Sequence, residues 1–274
     1  MPELPEVEVI KNIIKPLLMG KIISYSIVRI KKLKYIISKN IVKINNQKIL
    51  NIKRRGRYIL IILLQNTIII HLGMTGKLFI INNIKKNILT YNKHDHIDLI
   101  INHNLILRYT DIRRFGFWLW EKKNYKKNIF LKKLGPEPLE YKFNDIYLYN
   151  ISRKKNVPIK ILLMNNNIVT GIGNIYANES LFKSNIMPTR QSKTLNFQEI
   201  TYLVKNIKYI LNKSIKHGGS TIINYRLPNK NIGNYSKYFY VYGRENKFCK
   251  KCSTIITKIK QRNRSTFFCY KCQK

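Results

Sequence analysis

Four cysteines near the carboxyl end impose the strongest constraint on how this 274-residue chain can fold. They form two C-x2-C pairs, "CKKC" and "CYKC", which are separated by sixteen residues. Two such pairs can present four thiolates to one tetrahedral ion, and so short a segment has too little apolar core to fold unaided. Four thiolates leave no open coordination position, so the spacing predicts a structural zinc finger around a β-hairpin, with free thiols as the alternative. The predicted ligands are Cys249, Cys252, Cys269 and Cys272.

The charge of the chain narrows the choice of partner. It carries 52 Lys and Arg against 13 Asp and Glu, a formal net charge of +39. Such a charge attracts polyanions, so nucleic acid is the expected partner and an anionic membrane surface is the alternative. Abundant Ile, Lys and Asn, which have A/T-rich codons, suggest genomic drift as a second source of part of this charge. The apolar runs are far shorter than the roughly 20 residues of a membrane span, and the N-terminus is acidic, so we expect a cytoplasmic protein.

The hydrophobic pattern divides the chain into regions. Apolar residues at helical spacing predict a helix over residues 3–18, and short β-branched runs predict a β-sandwich from about 22 to 120. The segment "KKLGPEPLEYKF" marks a boundary, after which a helical pattern extends from about 145 to 217. Residues 218–240 are rich in Gly, Asn, Ser and Tyr, which predicts a long functional loop.

Several short segments carry side chains suited to DNA. In "TDIRRFG", Arg113 can pair with phosphate and Phe115 can wedge between bases, although an aromatic at a strand end is often part of the core. Met74 in "HLGMTG" has the same two interpretations. His94 and His96 in "KHDHID" could bind metal, but no third ligand is evident, so a surface or phosphate contact is preferred. The turn "TGIGN" before a helix offers free N–H groups to an anion.

The N-terminus "MPELPEVE" has two interpretations. Pro2 is either a residue that starts a helix or, once Met1 is removed, a secondary amine. An α-amino group titrates near pH ~8, so a useful fraction is neutral at physiological pH. Attack of this amine on an aldehyde-like carbon would give a cationic iminium, which acidifies the neighbouring C–H and permits elimination. Glu3 would then be within reach to move protons.

Together with "LGPEPL", "GIGNIYANESLF" and "RSTFFCYKCQK", these motifs resemble those of bacterial formamidopyrimidine-DNA glycosylases, in the same order from residue 2 to residue 274. "PELPEVE" favours this family over its relative endonuclease VIII, which typically begins PEGPE. The resemblance implies an α+β multidomain fold with DNA held between the domains. We expect an N-terminal β-sandwich with an N-terminal helix over 2–130, a helix–two-turns–helix domain over 135–225 and a zinc finger β-hairpin over 240–274.

The resemblance implies a bifunctional DNA glycosylase and AP lyase of base excision repair. Such an enzyme excises 8-oxoguanine and formamidopyrimidines from duplex DNA through a Schiff base on Pro2, and cleaves the strand by β,δ-elimination. Its target nucleotide must be everted, because C1′ is shielded in the stacked duplex. We expect a monomer with one structural zinc ion, no organic cofactor and damaged double-stranded DNA as its partner. By position, the resemblance implies Pro2 as the nucleophile, Glu3 as the acid/base and Arg264 as a participant in the last elimination. It implies that Met74, Arg113 and Phe115 fill the gap left by the everted nucleotide, and that Ser220 and Thr221 belong to the loop over the base. The implied DNA contacts are His94, Arg113, Lys155 and Asn174.

Two departures from the family pattern stand out. Arg57 occupies the position of a family lysine at the catalytic site, and because arginine stays protonated it retains phosphate pairing but is a poor proton donor. Ile112 replaces the usual proline and is expected to loosen the loop that carries Arg113. Two alternatives to the main interpretation remain. One is an endonuclease VIII-like glycosylase that prefers oxidised pyrimidines, and the other is a non-catalytic zinc-finger DNA-binding protein.

Overall fold

The structure is a computed structural model that describes residues 1–82, 88–122, 124–220 and 233–274. It divides into two compact units, of which the first comprises Met1–Lys132 with Gly218–Asn234, and the second Lys133–His217 with Tyr235–Lys274. Thr221, predicted to belong to the substrate loop, lies outside the described residues. Within the described ranges, every helix is too short or too polar to cross a bilayer.

The first unit contains a helix and two antiparallel sheets, as the β-branched runs predicted. One sheet has five strands in the order β2-β1-β7-β8-β6, and the other has four in the order β3-β4-β5-β9. The sheets face each other across an apolar core, where the ring of Tyr109 packs edge-on against Trp118 with centroids 5.6 Å apart. The elements are α1 (Leu4–Leu18), β1 (Ile22–Val28), α2 (Lys39–Val42), β2 (Asn45–Lys48), β3 (Asn51–Arg55), β4 (Tyr58–Ile62), β5 (Asn66–His71), β6 (Lys77–Asn82), β7 (Asp95–Ile101), β8 (Leu105–Thr110), β9 (Phe117–Lys122) and α3 (Ile129–Lys132).

Helix α1 begins with a capping box at the N-terminus. Glu3 is the N-cap, and its backbone N–H donates to the Glu6 carboxylate at 2.8 Å. Of the apolar positions at helical spacing, Val7, Ile10 and Ile14 are buried as predicted, whereas Leu17 is 40% exposed and the adjacent Leu18 is buried instead. The proline inside the first turn is Pro5, and Pro2 lies one residue outside the N-cap.

The second unit joins helices to a two-stranded hairpin. The hairpin turn consists of Arg262 and Asn263, whose φ angles of 42° and 61° suit a tight two-residue connection. The turn lies within "QRNR", between the two cysteine pairs, where a β-hairpin was predicted. The elements are α4 (Asp145–Arg153), α5 (Ile159–Leu163), α6 (Asn174–Lys183), α7 (Phe197–Lys216), β10 (Thr257–Gln261) and β11 (Arg264–Phe268).

Helix α6 holds the hairpin through two amide side chains, those of the half-buried Asn174 and the buried Asn178. Nδ2 of Asn174 donates to the Ser265 carbonyl at 2.9 Å, and Oδ1 of Asn178 accepts the N–H of Phe267 at 2.9 Å. Because the Ser265 carbonyl and the Phe267 N–H both belong to β11, these bonds fix the position of the hairpin along the axis of α6. The cysteine module is thus anchored to the helical part of its own unit.

Glu179 on the same helix organises the segment that precedes the cysteines. Its carboxylate accepts the backbone N–H groups of residues 240, 241 and 242 at 2.9, 2.9 and 2.8 Å. The side chain is only 2% exposed. Burial raises its pKa, while the three N–H donors oppose that shift. One carboxylate therefore holds three consecutive residues of the backbone.

We expect Glu179→Gln to lower the free energy of unfolding by about 1–3 kcal/mol, because the glutamine NH2 would face a backbone N–H. Urea unfolding followed by circular dichroism measures this difference. The matched control is Glu140→Gln, since Glu140 is exposed. Its effect should stay within about 0.5 kcal/mol. Equal stability of both variants would show that the Glu179 contacts contribute little.

Candidate functional site

The first unit brings Arg57 to the N-terminus. Pro2 and Glu3 are buried at the start of α1. Arg57 lies in the turn between β3 and β4, and its Nη1 is 3.9 Å from the sulfur of Met1. The guanidinium therefore lies beside the residue that precedes Pro2. Pro2 and Arg57, both predicted at the catalytic centre, are 55 positions apart in the sequence, and the contact with Met1 brings Arg57 to the end of the chain that carries Pro2.

His71 lies beside this group and was missed at the sequence level. It pairs with Tyr58 across β4 and β5. Its pKa is lowered to about 4, first by burial and then by the charges of Arg57 and Lys34. Nδ1 accepts the N–H of Gly73 at 3.1 Å, which leaves the proton on Nε2. At neutral pH this imidazole is an uncharged N–H donor. The only sequence signal was its position directly before the glycine turn in "HLGMTG".

Glu6 joins the start of α1 to the base of the predicted substrate loop. Its Oε2 accepts the N–H of Glu3, and its Oε1 accepts both the N–H and the hydroxyl of Ser220, each at 2.8 Å. A Cβ on Gly219, whose φ is +78°, would lie 3.1 Å from Oε1 of Glu6. Glycine at this position therefore allows the close approach. In the sequence, Glu6 is one of several acids near the N-terminus, and no local pattern marks it as a contact.

The three predicted gap-filling side chains form one exposed group. Met74 and Phe115 are each 47% exposed. The Arg113 guanidinium lies 4.5 Å from the centroid of the Phe115 ring, and Nη1 of Arg113 lies 3.4 Å from the Met74 sulfur. Exposure on this scale disfavours the interpretation of Phe115 and Met74 as core residues. A cation stacked on an aromatic ring is stabilised by the ring quadrupole.

A buried carboxylate holds the two loops that carry this group. Asp111 is fully buried; its Oδ1 accepts the Thr75 hydroxyl at 2.5 Å, and its Oδ2 accepts the Tyr109 hydroxyl at 3.0 Å and the Gly116 N–H at 2.8 Å. The Arg113 N–H in turn donates to the Thr75 hydroxyl at 3.0 Å. Thr75 and Asp111 thus tie the loop of Met74 to the loop of Arg113 and Phe115.

The two predicted histidines adjoin the same loop. His94 immediately precedes β7, and its carbonyl accepts the N–H of Asp111 at 3.0 Å. The ring of His96 is buried and its Nε2 lies 2.8 Å from the Asp111 carbonyl, with its pKa lowered by burial. His96 therefore has a structural contact, whereas His94 is only half-buried. No metal-binding group that includes either histidine occurs among the described residues.

In the second unit, Asn174 and Arg264 lie near a buried lysine. The Ser265 carbonyl accepts from Asn174 at 2.9 Å and from Nζ of Lys160 at 3.0 Å. Lys160 also donates to the Thr266 hydroxyl at 2.6 Å and is fully buried. Nothing within "PIKILL" marks this lysine as a buried contact. Arg264, exposed at the start of β11, directly precedes Ser265 in the chain.

Lys155 lies elsewhere in the second unit, just after the end of α4. It is exposed, and its carbonyl accepts the Ser192 hydroxyl at 2.8 Å. This bond fixes its backbone, while the exposed ammonium is available to a phosphate.

The four predicted zinc ligands converge. Their sulfur atoms all lie within 4.8 Å of one another. Cys249 and Cys272 are 3.9 Å apart, and Cys252 and Cys269 are 3.4 Å apart. Tetrahedral zinc with bonds of about 2.3 Å requires sulfur atoms about 3.8 Å apart. The donor set and its dimensions therefore fit one structural zinc ion.

Comparison with known proteins gives matches along almost the whole chain. The family model for the formamidopyrimidine-DNA glycosylase N-terminal domain matches residues 1–118, and that for its H2TH domain matches residues 134–225. A zinc finger found in FPG and IleRS matches residues 246–274. The formamidopyrimidine-DNA glycosylase of Proteus mirabilis is 46% identical over 273 residues, which cover 100% of this chain and 98% of the relative. That of Escherichia coli is 43% identical over 274 residues, covering 100% of both chains.

Solved structures are also similar to this chain over almost its whole length. A Lactococcus lactis Fpg mutant in complex with Fapy-dG containing DNA has a TM-score of 0.90 and 32% identity, covering 99% of each chain. Lactococcus lactis Fpg with an abasic site containing DNA has a TM-score of 0.89 and 31% identity, again covering 99% of each chain. MutM (Fpg) protein from Thermus thermophilus has a TM-score of 0.86 and 29% identity, covering 99% of this chain and 98% of the other.

We expect Thr75→Val to lower the free energy of unfolding by about 1–3 kcal/mol, because the buried Asp111 carboxylate would lose a donor. Thr201→Val is the matched control, since the exposed Thr201 hydroxyl donates to an exposed Asp145 carboxylate at 3.0 Å. Its effect should not exceed about 0.5 kcal/mol. Chemical denaturation of both variants tests the comparison, and an equal loss in the two would argue against the role given to Thr75.

Proposed function

The chain belongs to the formamidopyrimidine-DNA glycosylase family, and from this premise we propose that Pro2 is the nucleophile of a bifunctional DNA glycosylase and AP lyase. The enzyme excises oxidised purines from duplex DNA in base excision repair. The observation that supports the proposal is the position of Pro2, directly before the N-cap Glu3, with the Arg57 guanidinium 3.9 Å from the sulfur of the preceding Met1. A nucleophile, a carboxylate and a fixed cation thereby meet at one end of α1.

The proposed reaction uses the proline nitrogen after removal of Met1. The nitrogen bonds to C1′ of the everted nucleotide while the bond from C1′ to the base breaks, and the base leaves with a proton. Breakage of the C1′–O4′ bond, with a proton delivered to O4′, then converts this adduct into an iminium, which acidifies the C2′–H. Loss of the C2′ proton expels the 3′ phosphate, and a second elimination, with loss of the C4′ proton, expels the 5′ phosphate. Glu3 serves as the acid and base in these transfers. Arg57 pairs with the phosphate and neutralises its charge.

Other residues of the first unit would position the DNA. The exposed group of Met74, Arg113 and Phe115 suits the space left by the everted nucleotide. The neutral Nε2–H of His71 and the half-buried His94 suit phosphate contacts. Ser220, held by Glu6, and Thr221 would contribute to the loop over the base.

The second unit supplies further phosphate contacts in this proposal. Asn174 is the first residue of α6, where the positive end of the helix dipole favours an anion, and the buried Lys160 ammonium adds positive charge nearby. Lys155 and Arg264 are exposed cations. One structural zinc ion on the four cysteines holds the hairpin that presents Arg264. We propose three domains, over residues 2–130, 135–225 and 240–274. We also propose that the protein is a monomer that binds nucleoid DNA through its positive charge.

Borohydride trapping on a duplex with 8-oxoguanine should yield a covalent protein–DNA complex, and peptide mapping should place the bond on Pro2. Glu3→Gln should slow excision by about 100-fold or more, since general acid–base catalysis contributes on this scale. Glu8→Gln is the control, because Glu8 lies on the same helix and pairs with Arg54 at 2.6 Å.

Several outcomes would overturn this proposal. Intact mass spectrometry that shows retained Met1, or DNA binding without any trapped complex, would leave a non-catalytic DNA-binding protein. Preferential excision of thymine glycol over 8-oxoguanine would instead indicate an endonuclease VIII-like specificity.

Arg57→Lys should accelerate strand cleavage by about tenfold or more while base excision stays near the wild-type rate, because lysine can exchange a proton that arginine retains. Single-turnover assays that separate base release from nicking measure both rates. Arg55→Lys is the matched control, since Arg55 lies on the other side of the same turn. If Arg57→Lys changes neither rate, the position has no part in proton transfer.

A further inference from the structure

One face of α7 exposes tyrosines between lysines. The opposite face, which includes Leu203, Ile207 and Leu211, is fully buried. Tyr202 and Tyr209 are 47% and 48% exposed. Residues three and four apart share a helix face, so these side chains form a continuous stripe along the helix. The stripe consists of Tyr202, Lys205, Tyr209, Asn212 and Lys216.

Lysine ammonium groups lie against the tyrosine rings at the carboxyl-terminal half of this stripe. Nζ of Lys183 is 4.6 Å from the centroid of the Tyr209 ring. Nζ of Lys213 is 5.9 Å from the Tyr209 centroid and 4.7 Å from that of Tyr238. Tyr238, which is 41% exposed, also packs edge-on against His217 with centroids 4.6 Å apart. We call these residues, together with the stripe, the Tyr209 surface.

The charge of this surface has a single sign. Residues 200–217 contain four lysines and neither Asp nor Glu. The preceding acid, Glu199, is paired with Arg190 at 2.5 Å. A partner with complementary chemistry must therefore combine negative charge with flat apolar groups that can lie on tyrosine rings.

Single-stranded nucleic acid has both properties. Its phosphates pair with lysine, and its unpaired bases stack on aromatic side chains. A duplex keeps its bases stacked on one another, so it could offer this surface only its phosphates. We propose that the Tyr209 surface binds single-stranded nucleic acid.

This surface is distinct from the phosphate contacts proposed for Asn174. Asn174 is the first residue of α6, whereas Lys183, which contacts Tyr209, is the last. At the rise of an α-helix the two residues lie about 14 Å apart along the axis. Occupation of the Asn174 region therefore leaves the Tyr209 surface accessible within the second unit.

The test uses the full-length, zinc-loaded protein saturated with a duplex that carries an abasic-site analogue. A short fluorescent oligothymidylate is then titrated in, and anisotropy reports its binding. We expect saturable binding in the presence of the duplex. The double variant Tyr209→Ser/Tyr238→Ser should weaken it by about tenfold or more, because stacking of each base is lost. Tyr209→Phe/Tyr238→Phe should retain it, since the rings remain.

The matched control is Tyr141→Ser. Tyr141 is 79% exposed and has Lys142 5.9 Å from its ring centroid, but it lies outside the Tyr209 surface. This variant should bind the oligothymidylate as the wild type does. Equal thermal stability of all variants would confirm that they are folded, and none should alter excision from duplex DNA.

Three results would overturn the proposal. The first is complete displacement of the oligothymidylate by the duplex, and the second is unchanged affinity of the double serine variant. The third is displacement of the labelled oligothymidylate by polyglutamate at the same concentration of negative charge at which unlabelled oligothymidylate displaces it. That result would indicate a surface for acidic peptides. The readout is binding rather than catalysis, so it does not depend on the proposed role of Pro2.

Discussion

The buried carboxylate of Glu6 is the contact on which the N-terminal site depends. It is 2% exposed, and a charge so far from water is tolerated only where several donors meet it. The N–H of Glu3 and the two donors of Ser220 provide that environment. Since Pro2 immediately precedes Glu3, the bonds that stabilise one carboxylate also fix where the proline nitrogen lies relative to Ser220. Removal of any one donor would leave a buried charge undercompensated.

Buried carboxylates that accept several hydrogen bonds occur in both units. Asp111 accepts two hydroxyls and one backbone N–H, and Glu179 accepts three consecutive N–H groups. Seven of the 13 acidic residues are buried, and they are Glu3, Glu6, Asp95, Asp98, Asp111, Glu137 and Glu179. The scarce acids thus act mainly inside the protein as acceptors that organise loops. Because they are withdrawn from the surface, the exposed charge is even more positive than the composition suggests, which favours contact with phosphates.

Local sequence patterns predicted the helix, the strands and the cysteine module, whereas contacts between residues far apart in the sequence could not be predicted from such patterns. The apolar spacing of α1, the β-branched runs of the sandwich and the paired cysteines each act over a few residues, and the structure contains all three. Glu6 and Ser220 are 214 positions apart, and Lys160 and Thr266 are 106 apart. No local pattern in the sequence marks Glu6 or Lys160 as a contact. Only the folded backbone shows that each is buried against a specific donor or acceptor.

Because position 57 is arginine, fewer groups near the N-terminus can transfer a proton in the proposed reaction. Its guanidinium keeps its proton, and the nearby His71 is neutral, with a pKa lowered to about 4 and Nδ1 already accepting the Gly73 N–H. The imidazole is therefore poorly suited to take a proton at neutral pH. Glu6 already accepts three hydrogen bonds from Glu3 and Ser220, which engage both oxygens of its carboxylate. Of the groups gathered at the start of α1, Glu3 is the one whose chemistry and position match proton transfer, so in this chain it would serve both base release and elimination.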